Sequence, residues 1–343
     1  MDKPTRKFVP KSARLMDQVR EVLRFHHYAY NTEKSYVSWI LQFIRFHNKK
    51  HPKNMGKAEV EAFLSHLAIN RNVSASTQNQ AFNAIALLYR QVLGVNFDLD
   101  IRASRARKSV RLPVVLSRQQ VACIINILTG APNLMAKLMY GCGLRSLEVI
   151  RLRIHDIDFD QKQIIVREAK GNKDRVTFLP DNLLHALQLQ IAGVKKLHSS
   201  DLQERFGDVY LPYALARKYP NAARSTGWQY LFPANHISKD PRSGKQMRHH
   251  IDKSTFRKAL SAAVKKLGIE KRVSPHVLRH SFATHMLENG ANIRMVQILL
   301  GHKDVKTTEI YTHVMSTQLN GVINPLDALQ DRSDTVLHQT GPD

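Results

Sequence analysis

Apolar residues recur at the spacing of an amphipathic helix in several parts of the chain, which predicts helices there. Within the first hundred residues, three such runs follow one another, the first behind Thr32 and the last ending at Gly94, a suitable helix C-cap. A weaker run lies near residues 13–26. A small helical bundle is therefore predicted, with apolar faces formed by Tyr36, Trp39, Ile40, Phe43 and Ile44, by Val60, Phe63, Leu64 and Leu67, and by Ala81, Ile85, Leu88 and Val92.

A second helical region starts at Ser117, where Ser-Arg-Gln-Gln has the pattern of a capping box, and continues to about Leu152. Two stretches then read as short strands, Gln163–Glu168 and Arg175–Leu179, around the turn-forming residues 171–174. They predict an antiparallel hairpin with lysines at its tip. Further helices are expected near 253–267, 275–288, 293–300 and 307–316.

The patterns and the length of 343 residues together predict two domains. Residues 101–116 form a basic run between them, which is typical of a solvated linker but can also lie along phosphates. The predicted boundaries are a helical domain at 1–100, the linker at 101–116, a mixed domain at 117–329 that contains an irregular segment at 199–250, and a disordered tail at 330–343.

The charge indicates the partner. Lys and Arg number 52 against 28 Asp and Glu, a formal net charge of +24, and residues 1–112 hold 20 of these basic and 8 of the acidic residues. Such a field attracts polyanions, and two basic domains on one chain suggest a clamp on nucleic acid.

The same composition argues against membrane and secretory classes. No apolar run approaches the roughly 20 residues of a membrane span, and the N-terminal residues lack the pattern of a secretory signal. Cys123 and Cys142 are too few for a disulfide framework or a metal quartet and are expected to be two buried thiols. We expect a cytoplasmic, nucleoid-associated bacterial protein with no membrane partner.

A histidine and an arginine share one helical face behind Pro275. His276 and Arg279 are three residues apart, a spacing suited to holding a phosphate, because arginine binds two oxygens as a fork and histidine exchanges protons near neutral pH. His276 and His280 also have the spacing of zinc ligands. A metalloprotease helix needs a glutamate where Val277 stands, so no metal is expected.

Other short motifs supply further candidates for phosphate chemistry. In chain order they are Gly-Cys-Gly-Leu-Arg145-Ser-Leu-Glu148, the hairpin tip with Lys170 and Lys173, Leu-Leu-Gly-His302, and Tyr311 nine residues after that histidine. Together with the helix behind Pro275, this set resembles the tyrosine recombinase (phage integrase) family, and the resemblance spans about residues 117–316. That family is marked by Gly-Leu-Arg-x-x-Glu, Lys-Gly-x-Lys, His-x-x-Arg-His, Leu-Gly-His and the tyrosine.

The resemblance implies an α-helical N-terminal core-binding domain plus a mixed α+β, mainly helical catalytic domain with a small antiparallel sheet. The two would form a C-shaped clamp around a duplex. It also implies a homo-tetramer on two DNA sites, tied by a C-terminal segment of each protomer. Residues 321–329 would be that segment, although its apolar residues could equally pack within their own chain.

Phosphodiester transfer needs a nucleophile, charge neutralisation and a proton donor, and the residues can supply each. Tyr311 is the candidate nucleophile, and Arg145 and Arg279 can clamp the non-bridging oxygens without a metal ion. Glu148 stands three residues after Arg145 and can orient it. A 3′-phosphotyrosine keeps the bond energy, so the reaction needs neither ATP nor another cofactor.

The resemblance assigns the remaining roles. Lys170 would be the general acid toward the leaving 5′ oxygen, with Lys173 as the second choice. His276 and His302 would handle protons or bind the phosphate, and His280 would support them.

The segment 199–250 mixes aromatic with basic residues, which suits base stacking and phosphate contact but also a small satellite core. It resembles the extra segment of integron integrases, which receives bases protruding from a folded single-stranded cassette site. By position, the base-contacting residues would be Trp228, Pro241, His249 and His250. The expected partners are therefore a double-stranded integron site and a folded single-stranded cassette site, and the expected activity is insertion and excision of gene cassettes.

Three alternatives remain open. A type IB topoisomerase uses the same chemistry on one duplex, but the segment 199–250 disfavours it. A Xer- or phage-type recombinase of duplex sites differs chiefly in lacking that segment. A non-catalytic DNA-binding protein is disfavoured because every catalytic position is filled, including Tyr311.

Overall fold

The computed structural model of the chain describes residues 8–95, 103–104, 106, 113–169, 173–211, 213–241, 243–302 and 304–309. The chain divides into two compact units, Met1–Arg111 and Leu112–Asp343. The division falls inside the stretch predicted to be the linker. The predicted disordered tail at 330–343 lies outside the described residues.

The first unit is helical. Its helices are α1 (Leu15–Phe25), α2 (Tyr30–Phe46), α3 (Lys57–Ile69) and α4 (Ala75–Leu87), and a π-helical turn, Leu88–Val92, continues α4. The predicted helical runs are confirmed: the first two fall inside α2 and α3, the third spans α4 and the π-helical turn, and the weaker run near 13–26 corresponds to α1. The chain leaves the last turn at Gly94, whose φ of +69° suits a glycine.

Burial explains why the first unit holds together. Phe43, Phe63 and Tyr89 pack in one apolar cluster, where the Tyr89 hydroxyl donates to two backbone carbonyls of the 52–55 turn. The buried side chain of Gln78 donates to the carbonyl of Ser104 and accepts from the amide of Ala106. These two residues of the predicted linker are therefore bonded to the helical bundle rather than free in solvent.

The second unit begins with α5 (Arg118–Ile127), α6 (Gly130–Gly141) and α7 (Ser146–Arg151). The capping box at Ser117 is confirmed, since Ser117 and Gln120 exchange side-chain to backbone hydrogen bonds of 3.1 Å. A three-stranded antiparallel sheet follows, in the order β1 (Ile157–Asp158), β2 (Gln163–Ala169), β3 (Lys173–Phe178). The predicted hairpin is β2 and β3, and the two-residue β1 was not predicted.

The rest of the second unit is mainly helical. Its elements are α8 (Leu184–Gln203), α9 (Tyr213–Lys218), a two-stranded antiparallel ladder of β4 (Ser238–Lys239) and β5 (Gln246–Met247), α10 (Lys253–Lys266), α11 (Pro275–Glu288), α12 (Ile293–Leu300) and α13 (Lys306–Glu309). The irregular segment was expected from residue 199, but α8 extends through its first five residues. The later part of the helix predicted at 307–316 lies outside the described residues.

The core of the second unit surrounds α11. Phe282 and Ala283 of this helix pack with α12, while Val277 and Leu278 join the main apolar cluster beneath α5, α6 and α10. Because α11 is buried along most of its length, its polar residues are held in fixed positions. Among the described residues, no helix has both the length and the apolar composition needed to cross a membrane.

The two cysteines differ in burial. Cys142 is fully buried, and this burial raises the pKa of its thiol to about 12, so it stays protonated. Cys123 is half-buried. The prediction of two buried thiols is confirmed for Cys142 and is wrong in part for Cys123.

Candidate active site

Arg279 lies at the centre of a cluster of basic residues. It is 3% exposed, and its guanidinium donates hydrogen bonds to the backbone carbonyls of Gly143 and Leu300. These carbonyls belong to two motifs that are far apart in the sequence. Gly143 has a φ of +66°, and a Cβ there would lie 2.5 Å from the ring of Phe282. A glycine is therefore required for this close approach to α11.

Arg145 caps the first turn of α7 together with Glu148. The Arg145 backbone amide donates to Glu148 Oε2 at 2.8 Å, and its Nη1 donates to Glu148 Oε1 at 2.7 Å. The side chain of Arg145 remains 20% exposed. The expectation that Glu148 orients Arg145 thus has a direct geometric counterpart.

A third arginine, Arg175 of β3, lies in the same cluster and was missed in the sequence. Its Nη1 and Nη2 donate to the two oxygens of Glu148 at 2.8 and 2.7 Å, and its Nε donates to the carbonyl of Leu299 at 3.0 Å. Strand alternation could have placed Arg175 on the same face as the buried Thr177. The apolar residues Val176 and Phe178 instead suggest that the opposite face of β3 is the buried one, yet that face is exposed.

Glu148 is thus surrounded by positive charge. Arg279 Nη1 lies 3.8 Å from its Oε2, in addition to the contacts from Arg145 and Arg175. Burial raises the pKa of Glu148, but the hydrogen bonds and charges of Arg175 and Arg145 outweigh it and bring the pKa down to about 2. Three guanidiniums against one carboxylate leave two positive charges, which fits the site of a bound phosphate anion.

His302 is held next to Arg279. Gly301 ends α12 in the left-handed conformation, with φ +63°, and turns the chain so that His302 Nε2 lies 3.2 Å from Arg279 Nη2. An arginine can only donate, so Nε2 accepts and Nδ1 carries the proton toward Thr308 Oγ1, 2.9 Å away. Burial, followed by the charges of Arg279, Arg145 and Arg175, lowers the pKa of His302 to about 4.

His276 and His280 project from the same helix as Arg279, with ring centroids 6.3 Å apart. Burial, then the charges of Arg279 and Arg145, lower the pKa of His276, although Glu148 opposes them. Burial, then His276 and Arg279, lower the pKa of His280 to about 4. The pKa of each histidine is thus lowered by burial and positive charge, and an anion bound nearby would raise it.

Some predicted site residues are not part of this geometry. Tyr311 and Lys170 lie outside the described residues, and of Lys173 only the backbone, at the start of β3, is described. The structure therefore brings together Arg145, Glu148, His276, Arg279, His280 and His302. The nucleophile and the general acid stay predictions.

Trp228 belongs to a second basic cluster. Its half-buried ring lies 4.4 Å from the ring of His155, with the guanidiniums of Arg153 and Arg167 at 5.5 and 6.0 Å from the ring centroid. Asp156 accepts a hydrogen bond of 2.6 Å from Arg167, and Arg153 donates to the carbonyls of Trp228 and Tyr210. Hydrogen bonds from Arg153 thus attach the segment that carries Trp228 to the sheet region.

The other predicted base-contacting residues are spread along the segment. His250 packs edge-on against Tyr230, and its Nδ1 donates to the carbonyl of Ile251 at 2.8 Å, while burial lowers its pKa. His249 Nε2 is 3.6 Å from the buried Asp240, and Pro241 is exposed in the next position. The guanidinium of Arg153 lies over the rings of both Trp228 and Tyr230, and Tyr230 in turn contacts His250.

The interior of the segment packs against the rest of the second unit. Arg248 forms a two-bond ion pair with Asp201 of α8, both nearly buried, while Leu231 and Phe232 enter the main core. A satellite core was one of the two interpretations of this segment, but Leu231 and Phe232 belong to the main core of the second unit rather than to a separate one. Trp228 is half-buried.

The second unit is thus a mainly helical fold that gathers arginines and histidines around one carboxylate, an arrangement suited to binding a phosphate. Residues 115–318 match the model of the phage integrase family, and residues 15–98 match that family's N-terminal SAM-like domain. The chain belongs to the phage integrase family of tyrosine recombinases, whose members cleave and rejoin DNA in site-specific recombination.

Relatives and solved structures agree. The chain is 47% identical over 319 residues to an integrase/recombinase of Escherichia coli, covering 93% of this chain and 95% of that one. It is 29% identical to the tyrosine recombinase XerD of Agrobacterium fabrum, covering 77% and 78%.

Two solved structures show the same fold. The XerH recombinase bound to its difH substrate after cleavage aligns with a TM-score of 0.54 at 19% identity, over 90% of this chain and 83% of that one. The Tn1549 transposon integrase bound to transposon right-end DNA aligns with a TM-score of 0.56 at 14% identity, over 94% and 99%.

Proposed function

We propose that this recombinase is an integron integrase. It inserts and excises gene cassettes by recombining a folded single-stranded cassette site with a double-stranded integron site. The observation that carries the proposal is the environment of Trp228, a half-buried ring beside two guanidiniums and an imidazole. An extrahelical base can stack on such a ring while the exposed guanidinium of Arg167 contacts an adjoining phosphate.

The polar attachment of the segment supports this function. Arg153 is 8% exposed and holds the carbonyl of Trp228, so the ring is fixed before DNA arrives. A fixed stacking surface loses little conformational entropy when a base docks on it. Pro241, His249 and His250 would contact other protruding bases along the same segment.

The proposed reaction is a metal- and ATP-independent transesterification. The Tyr311 oxygen attacks the scissile phosphorus, the P–O5′ bond breaks, and a 3′-phosphotyrosine forms. Lys170, or Lys173 as the second choice, gives a proton to the leaving 5′ oxygen. Arg145 and Arg279 neutralise the charge that develops on the non-bridging oxygens. A 5′ hydroxyl from the partner DNA then reverses these steps and releases Tyr311.

The histidines fit two tasks in this scheme. His302 accepts from Arg279 through Nε2 and so holds that guanidinium in place, and Nε2 can donate to the phosphate itself once it takes up a proton. His276 lies beside the cations and can accept the proton that Tyr311 loses. His280 supports the orientation of His276 on the same helix.

We further propose that four protomers assemble on two DNA sites, with residues 321–329 of each chain docking on a neighbour. The enzyme would act in the bacterial cytoplasm, where the nucleoid DNA lies. Packing of residues 321–329 within their own chain would leave DNA-bound protomers unlinked, and sedimentation of the complex with and without these residues separates the two arrangements.

The second candidate is a Xer-type recombinase that acts only on duplex sites. Alignment with XerD over 77% of the chain favours it. It differs from the first in requiring no base contact by Trp228.

One assay distinguishes these functions. The protein is incubated with a folded single-stranded cassette site and a double-stranded integron site, and both the covalent protein–DNA complex and the recombinant are measured. An integron integrase gives both products. Recombination of paired duplexes alone would support the Xer-type function, and binding without any covalent complex would support a non-catalytic protein.

Tyr311→Phe supplies the control. It removes one hydroxyl, so we expect covalent capture of DNA to be abolished while the dissociation constant stays within about twofold. Gel electrophoresis under denaturing conditions measures the adduct. A DNA adduct formed by the Phe variant would contradict the assignment of Tyr311 as the nucleophile.

A further inference from the structure

Arg175 contacts two of the motifs that build the phosphate site. Its guanidinium binds both oxygens of Glu148 and the carbonyl of Leu299, and its side chain is 8% exposed. A Cβ on Gly301 would lie 2.7 Å from Arg175 Cδ, so the stem of this arginine rests against the glycine that precedes His302.

We propose that Arg175 is a positioning residue for strand cleavage, which neutralises Glu148 and fixes the segment 299–302 so that Arg145 and Arg279 can act on the phosphate. It acts through these neighbours and makes no contact with DNA itself. The proposal rests on the cleavage reaction assigned to Tyr311 and on the roles of the two arginines, and it is independent of which DNA sites are recombined.

The charge of Glu148 is the first reason. Its carboxylate binds Arg145 and lies 3.8 Å from Arg279, so it competes with the phosphate for the same two guanidiniums. Its charge would also repel the phosphate in a half-buried site, where screening by water is weak. The two-bond contact from Arg175 satisfies the carboxylate and cancels this charge.

The geometry of the guanidinium is the second reason. Arg175 uses three donors in one plane, two toward Glu148 and one toward Leu299. The next carbonyl, that of Leu300, accepts from Arg279. The two arginines thus hold consecutive carbonyls just before His302. A lysine has the same charge but lacks the planar fork and cannot make these bonds together.

The test measures single-turnover formation of the covalent complex on a nicked duplex that traps the cleaved state. Arg175→Gln is compared with wild type, and Arg118→Gln is the matched control, because Arg118 pairs with Glu288 away from the phosphate site. We expect Arg175→Gln to cleave about 10²-fold more slowly, comparable to losing one contact to a developing oxyanion, with DNA affinity within about twofold. Arg175→Lys should recover part of the rate, and Arg118→Gln should match wild type.

Two readouts separate positioning from a purely structural role. A methylphosphonate at the scissile position carries no charge for Glu148 to repel. On this substrate the cleavage-rate deficit of Arg175→Gln relative to wild type should be at least tenfold smaller than on normal DNA. Adding Glu148→Gln to Arg175→Gln removes the uncompensated carboxylate, so the double variant should cleave faster than Arg175→Gln. This neutral pair also serves if the single variant does not fold.

Three results would overturn the proposal. An equal deficit on both substrates, together with a double variant slower than Arg175→Gln, would mean that Arg175 only supports the fold. Wild-type rates for Arg175→Gln would remove any role. Absence of a covalent complex with wild type would overturn the assignment of Tyr311, and with it the reaction on which the proposal depends. That failure is visible before any variant is compared.

Discussion

Single charged residues set the chemistry of the phosphate site. Arg145 and Arg279 both contact or approach Glu148, and neither is fully neutralised by it because Arg175 shares the same carboxylate. A phosphodiester brings one negative charge, and its pentacoordinate transition state carries more. The excess of positive charge therefore stabilises the transition state more than the bound substrate, which is the condition for catalysis.

The first prediction at this scale concerns the two arginines. Arg145→Ala or Arg279→Ala should slow formation of the covalent complex by about 10²–10³-fold, because each removes a contact to the developing oxyanion. Cleavage by wild type should persist in EDTA, since guanidiniums supply the charge. Loss of cleavage on chelation, restored by zinc, would instead identify His276 and His280 as metal ligands.

The second prediction concerns acid stability. The pKa of His302 is about 4 in the folded protein and about 6.5 in an unfolded chain, so the unfolded state binds the proton first as pH falls. As the pH falls from about 6.5 to about 4, the free energy of unfolding should therefore decrease. Below about pH 4 this group should have no further effect on it. His302→Asn should lessen the decrease by about 1–3 kcal/mol, measured by urea unfolding across this range. Identical pH slopes for variant and wild type would contradict it.

Local sequence patterns predicted most of the helices and the hairpin, because these depend on short-range spacing, but α8 and α9 were not predicted. The capping box at Ser117 and Pro275 at the start of α11 both have the predicted positions. Arg175 was missed, since the apolar Val176 and Phe178 are exposed on β3 while the arginine faces inward. Its partners Glu148 and Leu299 are distant in sequence, and no local periodicity reports such a pairing.

The segment 199–250 also depends on contacts between distant residues, which local sequence patterns do not predict. Its aromatic and basic composition indicated either base stacking or a satellite core, whereas Leu231 and Phe232 join the main core and Trp228 is half-buried against His155. Arg248 and Asp201 are 47 residues apart, and their buried pair cannot be inferred from spacing. The motif residues of the phosphate site were identified because a family pattern links them, which local physics alone does not.

The third prediction belongs to this segment. Trp228→Ala should weaken binding to folded single-stranded sites by roughly 1–3 kcal/mol and leave binding to a paired duplex nearly unchanged, because only an extrahelical base stacks on the ring. Tyr219→Ala, an exposed aromatic residue of the same segment, is the matched control. Equal losses on both substrates with a lower melting temperature would show that Trp228 only stabilises the fold of this segment.

The whole chain carries its formal charge of +24 on two units, and residues 1–112 hold 20 basic against 8 acidic residues. Both units can therefore bind phosphates without regard to sequence, which gives affinity that falls steeply with salt. Discrimination between a folded strand and a duplex must come from a local feature, because charge alone does not distinguish them. Trp228 and its neighbours are the feature proposed here.

The most direct test compares the affinity of the wild-type protein for two DNA hairpins at one salt concentration. One hairpin carries protruding bases, and the other is identical except that these bases are deleted. Stacking of an extrahelical base predicts that the first binds about tenfold more tightly or better, from the 1–3 kcal/mol that one stacked base contributes. Equal affinity for both hairpins would contradict the integron integrase function and leave a recombinase of duplex sites.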